Sequence, residues 1–187
     1  MWGPGVCGSG APRVLKEGFC MAKTDDNLAA AFAGESQANR KYLAFAKKAD
    51  EEGHKQIAKL FRAAAAAETV HAHNHLRAMG GVKSTAENVQ AAIAGEHYEF
   101  TKMYPEFIGA ARTDKKREAL GSFTMANKVE EIHHRLYAAA AEALKTGKPL
   151  PKVDYYVCDV CGNTVEGAPP EQCPICGNPR KGFFKVE

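Results

Sequence analysis

Residues 129–136 read VEEIHHRL, and this stretch decides how the chain folds. It contains two overlapping Glu-x-x-His pairs, Glu130 with His133 and Glu131 with His134. Side chains three or four residues apart lie on the same face of an α-helix. Glu130 and His133 share a face with apolar residues, whereas Glu131 and His134 share one with lysines and other polar residues. We therefore expect Glu130 and His133 to point into the core.

The same pattern occurs upstream in an internal repeat. The triplet AGE appears at 33–35 and again at 94–96. A Glu-x-x-His pair begins 33 residues after Glu35, at Glu68, and 34 residues after Glu96, at Glu130. Alanine-rich sequence with apolar residues at helical spacing predicts four helices, of which the first two and the last two form similar hairpins. The expected spans are 25–52, 54–79, 85–112 and 115–146.

Five carboxylates and two imidazoles are thus predicted to lie in the apolar seam of a helical bundle. The seven residues are Glu35, Glu68, His71, Glu96, Glu99, Glu130 and His133. Unpaired buried charges cost several kcal/mol each, so five together would prevent folding. Two iron ions supply +4 or +6 and balance the charge of the five carboxylates. One Glu from each of two helices, with Glu-x-x-His from each of the other two, is the pattern of carboxylate di-iron proteins.

Four cysteines indicate a second metal site near the C-terminus. CDVCGN at 158–163 and CPICGN at 173–178 each contain a Cys-x-x-Cys pair. Four thiolates suit Zn or Fe, and their spacing alone favours a zinc ribbon about as much as an iron site. The predicted di-iron bundle favours iron. The metal ligands of this site would be Cys158, Cys161, Cys173 and Cys176.

Composition limits the other classes of function. The net charge of +3 comes from mixed charges without a basic stripe, which argues against nucleic acid as a partner. No apolar run is long enough to cross a membrane. Residues 1–24 lack the apolar region of a signal peptide, so we expect a disordered leader and a cytoplasmic protein. The remaining domains are expected at 25–147 for the bundle, 148–154 for a linker and 155–187 for the cysteine domain.

The chain resembles the rubrerythrin family across about residues 25–187. The resemblance depends on AFAGESQANRKY, AAETVHAHNH, AIAGEHYEFTKMYPEF, VEEIHHRLY and YVCDVCGNTVEGAPPEQCPICGNPRKGFF. It implies a mainly α fold, with a ferritin-like four-helix bundle that holds a non-haem di-iron centre and a small rubredoxin-like FeS4 domain. It assigns the seven seam residues as di-iron ligands and Tyr42 and Tyr104 as their hydrogen-bonding neighbours.

The resemblance also implies an activity. Members of the family reduce hydrogen peroxide to water in oxidative-stress defence. Their electrons come ultimately from NAD(P)H, through a donor such as rubredoxin or a reductase. A ferroxidase or iron-handling protein of the ferritin-like class is the alternative, because it would use the same di-iron ligands. That alternative does not need an attached FeS4 electron donor.

The predicted helices have a geometric consequence for assembly. Ferritin-like bundles run the second and third helices parallel, which requires a crossover along the bundle. In that arrangement, the link must run from the end of the second helix back to the start of the third, which is ~30 Å at ~1.5 Å per helical residue. Residues 80–84 extend at most ~18 Å. We therefore expect a homodimer in which the subunits exchange helix pairs. A plain antiparallel bundle, or a third helix that starts later, is the rival.

Overall fold

The computed structural model describes residues 23–187, and the expected leader lies almost wholly outside them. The described chain divides into two compact units, residues 23–82 and residues 83–187. Helices make up most of the described chain, as predicted, and a small sheet lies near the C-terminus. No helix in the described part is long and apolar enough to span a bilayer.

The first unit is an antiparallel helical hairpin. Helix α1 spans Lys23–Glu51 and helix α2 spans Lys55–Ala78. The turn between them passes through Gly53, whose φ of +82° favours glycine. Small side chains let the helices approach closely, and the buried alanines are Ala46, Ala49, Ala58, Ala65 and Ala72. The buried Asn39 also joins the two helices, because its Nδ2 donates to Ala65 O at 2.7 Å and to Thr69 Oγ1 at 2.8 Å.

The second unit begins with three α-helices. Helix α3 spans Thr85–Tyr98, α4 spans Tyr104–Thr113 and α5 spans Arg117–Thr146. Both α3 and α4 pack against α5. Ser84 and Glu87 form the capping box that their spacing predicts, with each side chain bonded to the other's backbone N–H. Helix α3 therefore does not start later than expected. A late start that would lengthen the link is thus ruled out as an alternative to the exchange of helix pairs.

A π-helical turn at Glu99–Met103 separates α3 from α4, although the sequence predicted one continuous helix. Pro105 lies at the start of α4. Proline has no backbone N–H and its ring collides with the preceding turn, so an uninterrupted α-helix would be strained there. A π turn widens the helix at this point and removes that conflict. Such turns are frequent at functional sites, and this one begins at a predicted ligand.

The C-terminal part of the second unit is a small antiparallel sheet that carries the cysteines. Strands β1 (Tyr155–Cys158), β2 (Thr164–Glu166) and β3 (Phe183–Lys185) lie in the order β2-β1-β3. The two Cys-x-x-Cys turns have matching backbones. Cys158 N donates to Asn163 O at 3.0 Å, and Cys173 N donates to Asn178 O at 2.7 Å. Each turn is thus closed by the asparagine two residues after its second cysteine.

Candidate metal centres

The first unit brings together three of the predicted di-iron ligands. Glu35 comes from α1, and Glu68 and His71 come from adjacent turns of α2. One ligand atom from each of the three lies within 4.8 Å of the others. His71 Nδ1 is 2.9 Å from Glu68 Oε2. The His71 side chain is 53% exposed, so this triad is open on its imidazole side.

The second unit contains the matching triad. Glu96 comes from α3, and Glu130 and His133 come from α5. His133 Nδ1 is 2.8 Å from Glu130 Oε2 and 3.8 Å from Glu96 Oε2. The ring of His134 instead packs near Phe100, with 5.4 Å between centroids. Of the two overlapping pairs in VEEIHHRL, the structure therefore places Glu130 and His133 in the triad.

Glu99 and Tyr104 lie beside the second triad. Burial raises the pKa of Glu99, and the negative charge of Glu96 raises it further. Burial also raises the pKa of the Tyr104 phenol, and the carboxylates of Glu130, Glu99 and Glu96 add to the effect in that order. These residues are therefore close enough for their charges to shift one another's pKa. The π turn that begins at Glu99 separates it from the regular helix that carries Glu96.

Tyr42, the other predicted neighbour, belongs to the first unit. Its ring packs against Phe45 and Phe61, with centroids 6.4 and 6.1 Å away. This places it in a cluster of aromatic side chains formed by α1 and α2. The structure therefore gives Tyr42 a packing role, and its predicted hydrogen bond to the iron ligands stays a prediction.

The charges of the second triad fit a bound cation. Burial raises the pKa of Glu96, and the adjacent Glu130 raises it further, while His133 opposes both. Partly buried carboxylates close to one another disfavour full ionisation. A divalent cation between them removes this penalty. Imidazole nitrogens and carboxylate oxygens are ligands that iron accepts, so the residues fit a carboxylate-bridged iron site.

The four cysteines fit a tetrahedral metal ion. Their sulfur atoms lie within 4.8 Å of one another. Cys158 Sγ is 3.6 Å from Cys176 Sγ, and Cys161 Sγ is 3.6 Å from Cys173 Sγ. A metal about 2.3 Å from each sulfur places tetrahedral sulfurs about 3.8 Å apart. The four thiols are therefore already spaced for coordination.

Hydrogen bonds at this site favour ionised sulfur at Cys158. Burial opposes ionisation of the thiol, but hydrogen bonds from the backbone N–H groups of Cys161 and Val160, the amide of Asn178 and the thiol of Cys176 outweigh it. Together they lower the pKa of Cys158 to about 7. Metals bind the thiolate rather than the thiol. The protein thus supplies donors that prepare this sulfur for a metal.

The cysteine domain touches the second triad through Thr164. Its Oγ1 is 2.9 Å from His133 Nε2 and donates to Gly162 O at 3.1 Å. Because the single hydroxyl proton is used on Gly162, the oxygen must accept a hydrogen bond from His133 Nε2–H. His133 Nδ1 and Glu130 Oε2 would then both be acceptors at 2.8 Å, an arrangement that needs a cation or a proton between them. Thr164 thus orients His133 toward a metal.

Sequence reasoning missed Thr164 as a site residue. It lies 31 residues beyond His133 in the chain, so helical spacing gives no sign of the contact. Its position directly after the CGN of the first cysteine motif is the only signal, and that signal does not identify its partner. Asn163 and Asn178 were also missed, although both stand at the same place in the repeated CxxCGN motif.

Comparisons with known proteins agree with these centres. The rubrerythrin family model matches residues 26–141, and that of the rubrerythrin rubredoxin-like domain matches residues 156–184. Rubrerythrin-2 of Clostridium acetobutylicum is 35% identical over 87% of this chain and 96% of its own length. Nigerythrin of Nitratidesulfovibrio vulgaris is 35% identical over 87% and 86%. Rubrerythrin of Porphyromonas gingivalis is 34% identical over 87% and 89%.

Solved structures of nigerythrin are also similar to this chain. Nigerythrin in a mixed-valence state has a TM-score of 0.52 and 34% identity, covering 92% of this chain and 91% of its own. Fully reduced, all-ferrous nigerythrin has a TM-score of 0.53 and 33% identity with the same coverage. The predicted fold class, a ferritin-like helical domain followed by a rubredoxin-like domain, is thereby confirmed. The predicted cofactors, a carboxylate and histidine di-iron site and a four-cysteine site, are confirmed as well.

Proposed function

Because the chain belongs to the rubrerythrin family, we propose that it is a non-haem di-iron peroxidase in which the iron of the four-cysteine site delivers the electrons. The reaction is H2O2 + 2 e⁻ + 2 H⁺ → 2 H2O. The electrons come from a rubredoxin or an NAD(P)H-dependent reductase. The seven predicted seam residues are the di-iron ligands, and the four cysteines hold the third iron. The protein would serve in defence against oxidative stress.

The observation that carries this proposal is the contact of Thr164 with His133 and Gly162. Gly162 is covalently next to Cys161, a ligand of the four-cysteine site, and His133 belongs to the carboxylate triad. Two short hydrogen bonds therefore connect the surroundings of the two centres. A ferroxidase has no use for such a connection, whereas an enzyme that must return electrons to its di-iron site does.

When bound, two ferrous ions would supply the two electrons that cleavage of the O–O bond needs, and iron held by the four cysteines would supply their replacements one at a time. The residues of the chain hold the site and its protons. Thr164 fixes the ring of His133, so that Nδ1 faces the carboxylates. The Tyr104 hydroxyl keeps its proton because its pKa is raised. Burial and the charge of Glu96 raise the pKa of Glu99, so this carboxylate takes up a proton more readily than an exposed glutamate when it is not bound to iron.

We further propose that the active form is a dimer with exchanged helix pairs. The first unit of one subunit would supply Glu35, Glu68 and His71, and the second unit of its partner would supply the other four ligands. Two observations support this. Only residues 79–84 separate α2 from α3, too few for the crossover of a ferritin-like bundle. Large apolar side chains of the α1–α2 hairpin are also left exposed in the single chain, among them Phe45 at 47% and Leu60 at 67%.

Light scattering on the iron-loaded protein tests the exchange. We expect twice the mass of the 20.2 kDa chain. A monomer that still binds both irons of the carboxylate site would refute the exchange without affecting the proposed reaction.

The peroxidase is separated from the ferroxidase by Cys158→Ser. Loss of one ligand of the four-cysteine site should abolish NADH-driven peroxide turnover with a reductase, because the electron route is cut. Oxidation of added ferrous iron should continue, because the carboxylate ligands are intact. Cys20→Ser is the matched control, since Cys20 is outside both Cys-x-x-Cys motifs. Equal peroxide turnover by Cys158→Ser and the parent would contradict the proposal.

A further inference from the structure

Two asparagine side chains cross between the cysteine turns and contact sulfur. Asn163 follows the first turn, and its Nδ2 lies 3.6 Å from Cys173 Sγ of the second. Asn178 follows the second turn, and its Nδ2 lies 3.5 Å from Cys158 Sγ of the first. Each amide therefore reaches the first cysteine of the opposite turn. The two contacts are equivalent, as the repeated CxxCGN sequence would require.

The direction of these contacts follows from the chemistry of the partners. A thiolate bound to a metal accepts hydrogen bonds and has no proton to donate. The amide nitrogen, and not the oxygen, must therefore face the sulfur. The backbone carbonyl of each asparagine meanwhile accepts from the first cysteine of its own turn. Shortening the side chain thus removes the sulfur contact and leaves the backbone of the turn intact.

Burial of the accepting sulfurs strengthens both contacts, and the Asn163 amide is itself buried. Asn163 is 1% exposed, and Cys158 and Cys173 are 1% and 2% exposed. A buried amide needs a hydrogen-bond partner, and the Asn163 amide nitrogen has Cys173 Sγ as its partner. Electrostatic attraction between an N–H dipole and a charge is stronger in a low-dielectric interior than in water.

Asn178 is held in position by its neighbours. Its Nδ2 also donates to Asp159 Oδ1 at 2.8 Å. Gly182 leaves the space that this amide occupies, since a Cβ there would collide with the Asn178 side chain. The second N–H is shared between Cys158 Sγ at 3.5 Å and Gly182 O at 3.4 Å. This asparagine is less buried than Asn163.

We propose that Asn163 and Asn178 raise the reduction potential of the iron in the four-cysteine site by donating hydrogen bonds to the sulfurs of Cys173 and Cys158. Four thiolates and Fe(III) have a net charge of −1, and one added electron gives −2 with Fe(II). An N–H dipole directed at sulfur stabilises the more negative, reduced state. Hydrogen bonds to sulfur are among the factors that set the potentials of iron–sulfur sites. The proposal requires iron in the four-cysteine site and does not depend on the peroxidase activity.

Potentiometry on the full-length, iron-loaded protein tests the assignment. The probe is the visible absorption of the iron in the four-cysteine site during titration with a reductant. For Asn178→Ala we expect the equilibrium constant for reduction to fall about tenfold, which is about 59 mV for one electron. Asn163→Ala should produce a similar fall, and the double variant should lower the potential further than either single change.

Gln172→Ala is the matched control. Its side-chain amide lies on the same turn as Asn178 but donates to Gly177 O at 3.0 Å instead of to sulfur. The potential of this variant should equal that of the parent. Asn163 is deeply buried, so if Asn163→Ala does not take up iron, the more exposed Asn178→Ala decides the result. A potential for Asn178→Ala that is unchanged, raised, or lowered no more than that of Gln172→Ala would overturn the proposal.

Discussion

Replacing Thr164 with valine removes one hydroxyl from the contact between the cysteine domain and the carboxylate triad. Valine has nearly the same shape, so packing beside α5 should be retained. The change removes the acceptor of His133 Nε2–H and the donor to Gly162 O. It therefore tests whether this contact orients the ligand and conducts electrons, without disturbing either set of metal ligands.

The size of the effect follows from the exposure of His133. An unpaired donor that is fully buried costs about 1–3 kcal/mol. The His133 side chain is 28% exposed, so water partly replaces the lost partner and the cost should be near the lower limit. About 1 kcal/mol corresponds to roughly a fivefold weaker affinity for iron at this ligand. Loss of the hydrogen-bonded route should also slow electron delivery by about tenfold, within the range seen for partners of metal-bound histidines.

The assay is stopped-flow mixing of the fully reduced protein with hydrogen peroxide. The return of the visible band reports oxidation of the iron in the four-cysteine site, and a chelator competition gives the affinity of the carboxylate site. Thr164→Ser retains the hydroxyl and should behave like the parent in both measurements. The reasoning fails if Thr164→Val matches the parent in both, or if Thr164→Ser is as impaired as Thr164→Val.

Two further predictions concern stability. Asn39→Ala removes a buried amide that joins α1 to α2, so urea denaturation should show a free energy of unfolding lower by about 1–3 kcal/mol. The control is Gln37→Ala, which removes an exposed amide on the same helix and should hardly change the free energy of unfolding. Equal losses in the two variants would contradict the role assigned to Asn39. Burial and Glu96 raise the pKa of Glu99 above its ordinary value of 4.5, so the folded metal-free protein binds this proton more tightly than the unfolded chain. The stabilisation that the folded protein gains from binding this proton is therefore present below pH 4.5 and is lost as the pH rises through the raised pKa. Melting temperatures of metal-free Glu99→Gln should fall less over that range than those of the parent, and identical pH profiles would argue against a perturbed Glu99.

Much of the carboxylate site could be predicted because its ligands follow a local rule. Glu68 and His71, like Glu130 and His133, are placed on one face by the geometry of a single helix. The repeat of AGE identified the glutamates of the other two helices. The capping box at Ser84 is equally local, since both partners lie within one turn. Each of these predictions needed only the spacing of residues along one helix.

The features that sequence reasoning missed depend on how separate segments pack. The π turn at Glu99 changes the rotation of the helix midway, and Pro105 was its only sign in the sequence. The contact of Thr164 with His133 depends on where the cysteine domain lies against α5. The amides of Asn163 and Asn178 reach sulfur only after both cysteine turns have formed. Residue spacing carries no information about such contacts.

The central claim is that iron keeps the carboxylates in the helical core. Iron analysis of Glu130→Gln beside Glu131→Gln, combined with the visible spectrum, measures this most directly. The parent and Glu131→Gln should each contain three irons per chain, two in the carboxylate site and one in the four-cysteine site. Glu130→Gln should lose iron from the carboxylate site and retain the visible band of the iron bound by the four cysteines. Full iron content and unchanged peroxide turnover in Glu130→Gln would contradict the account.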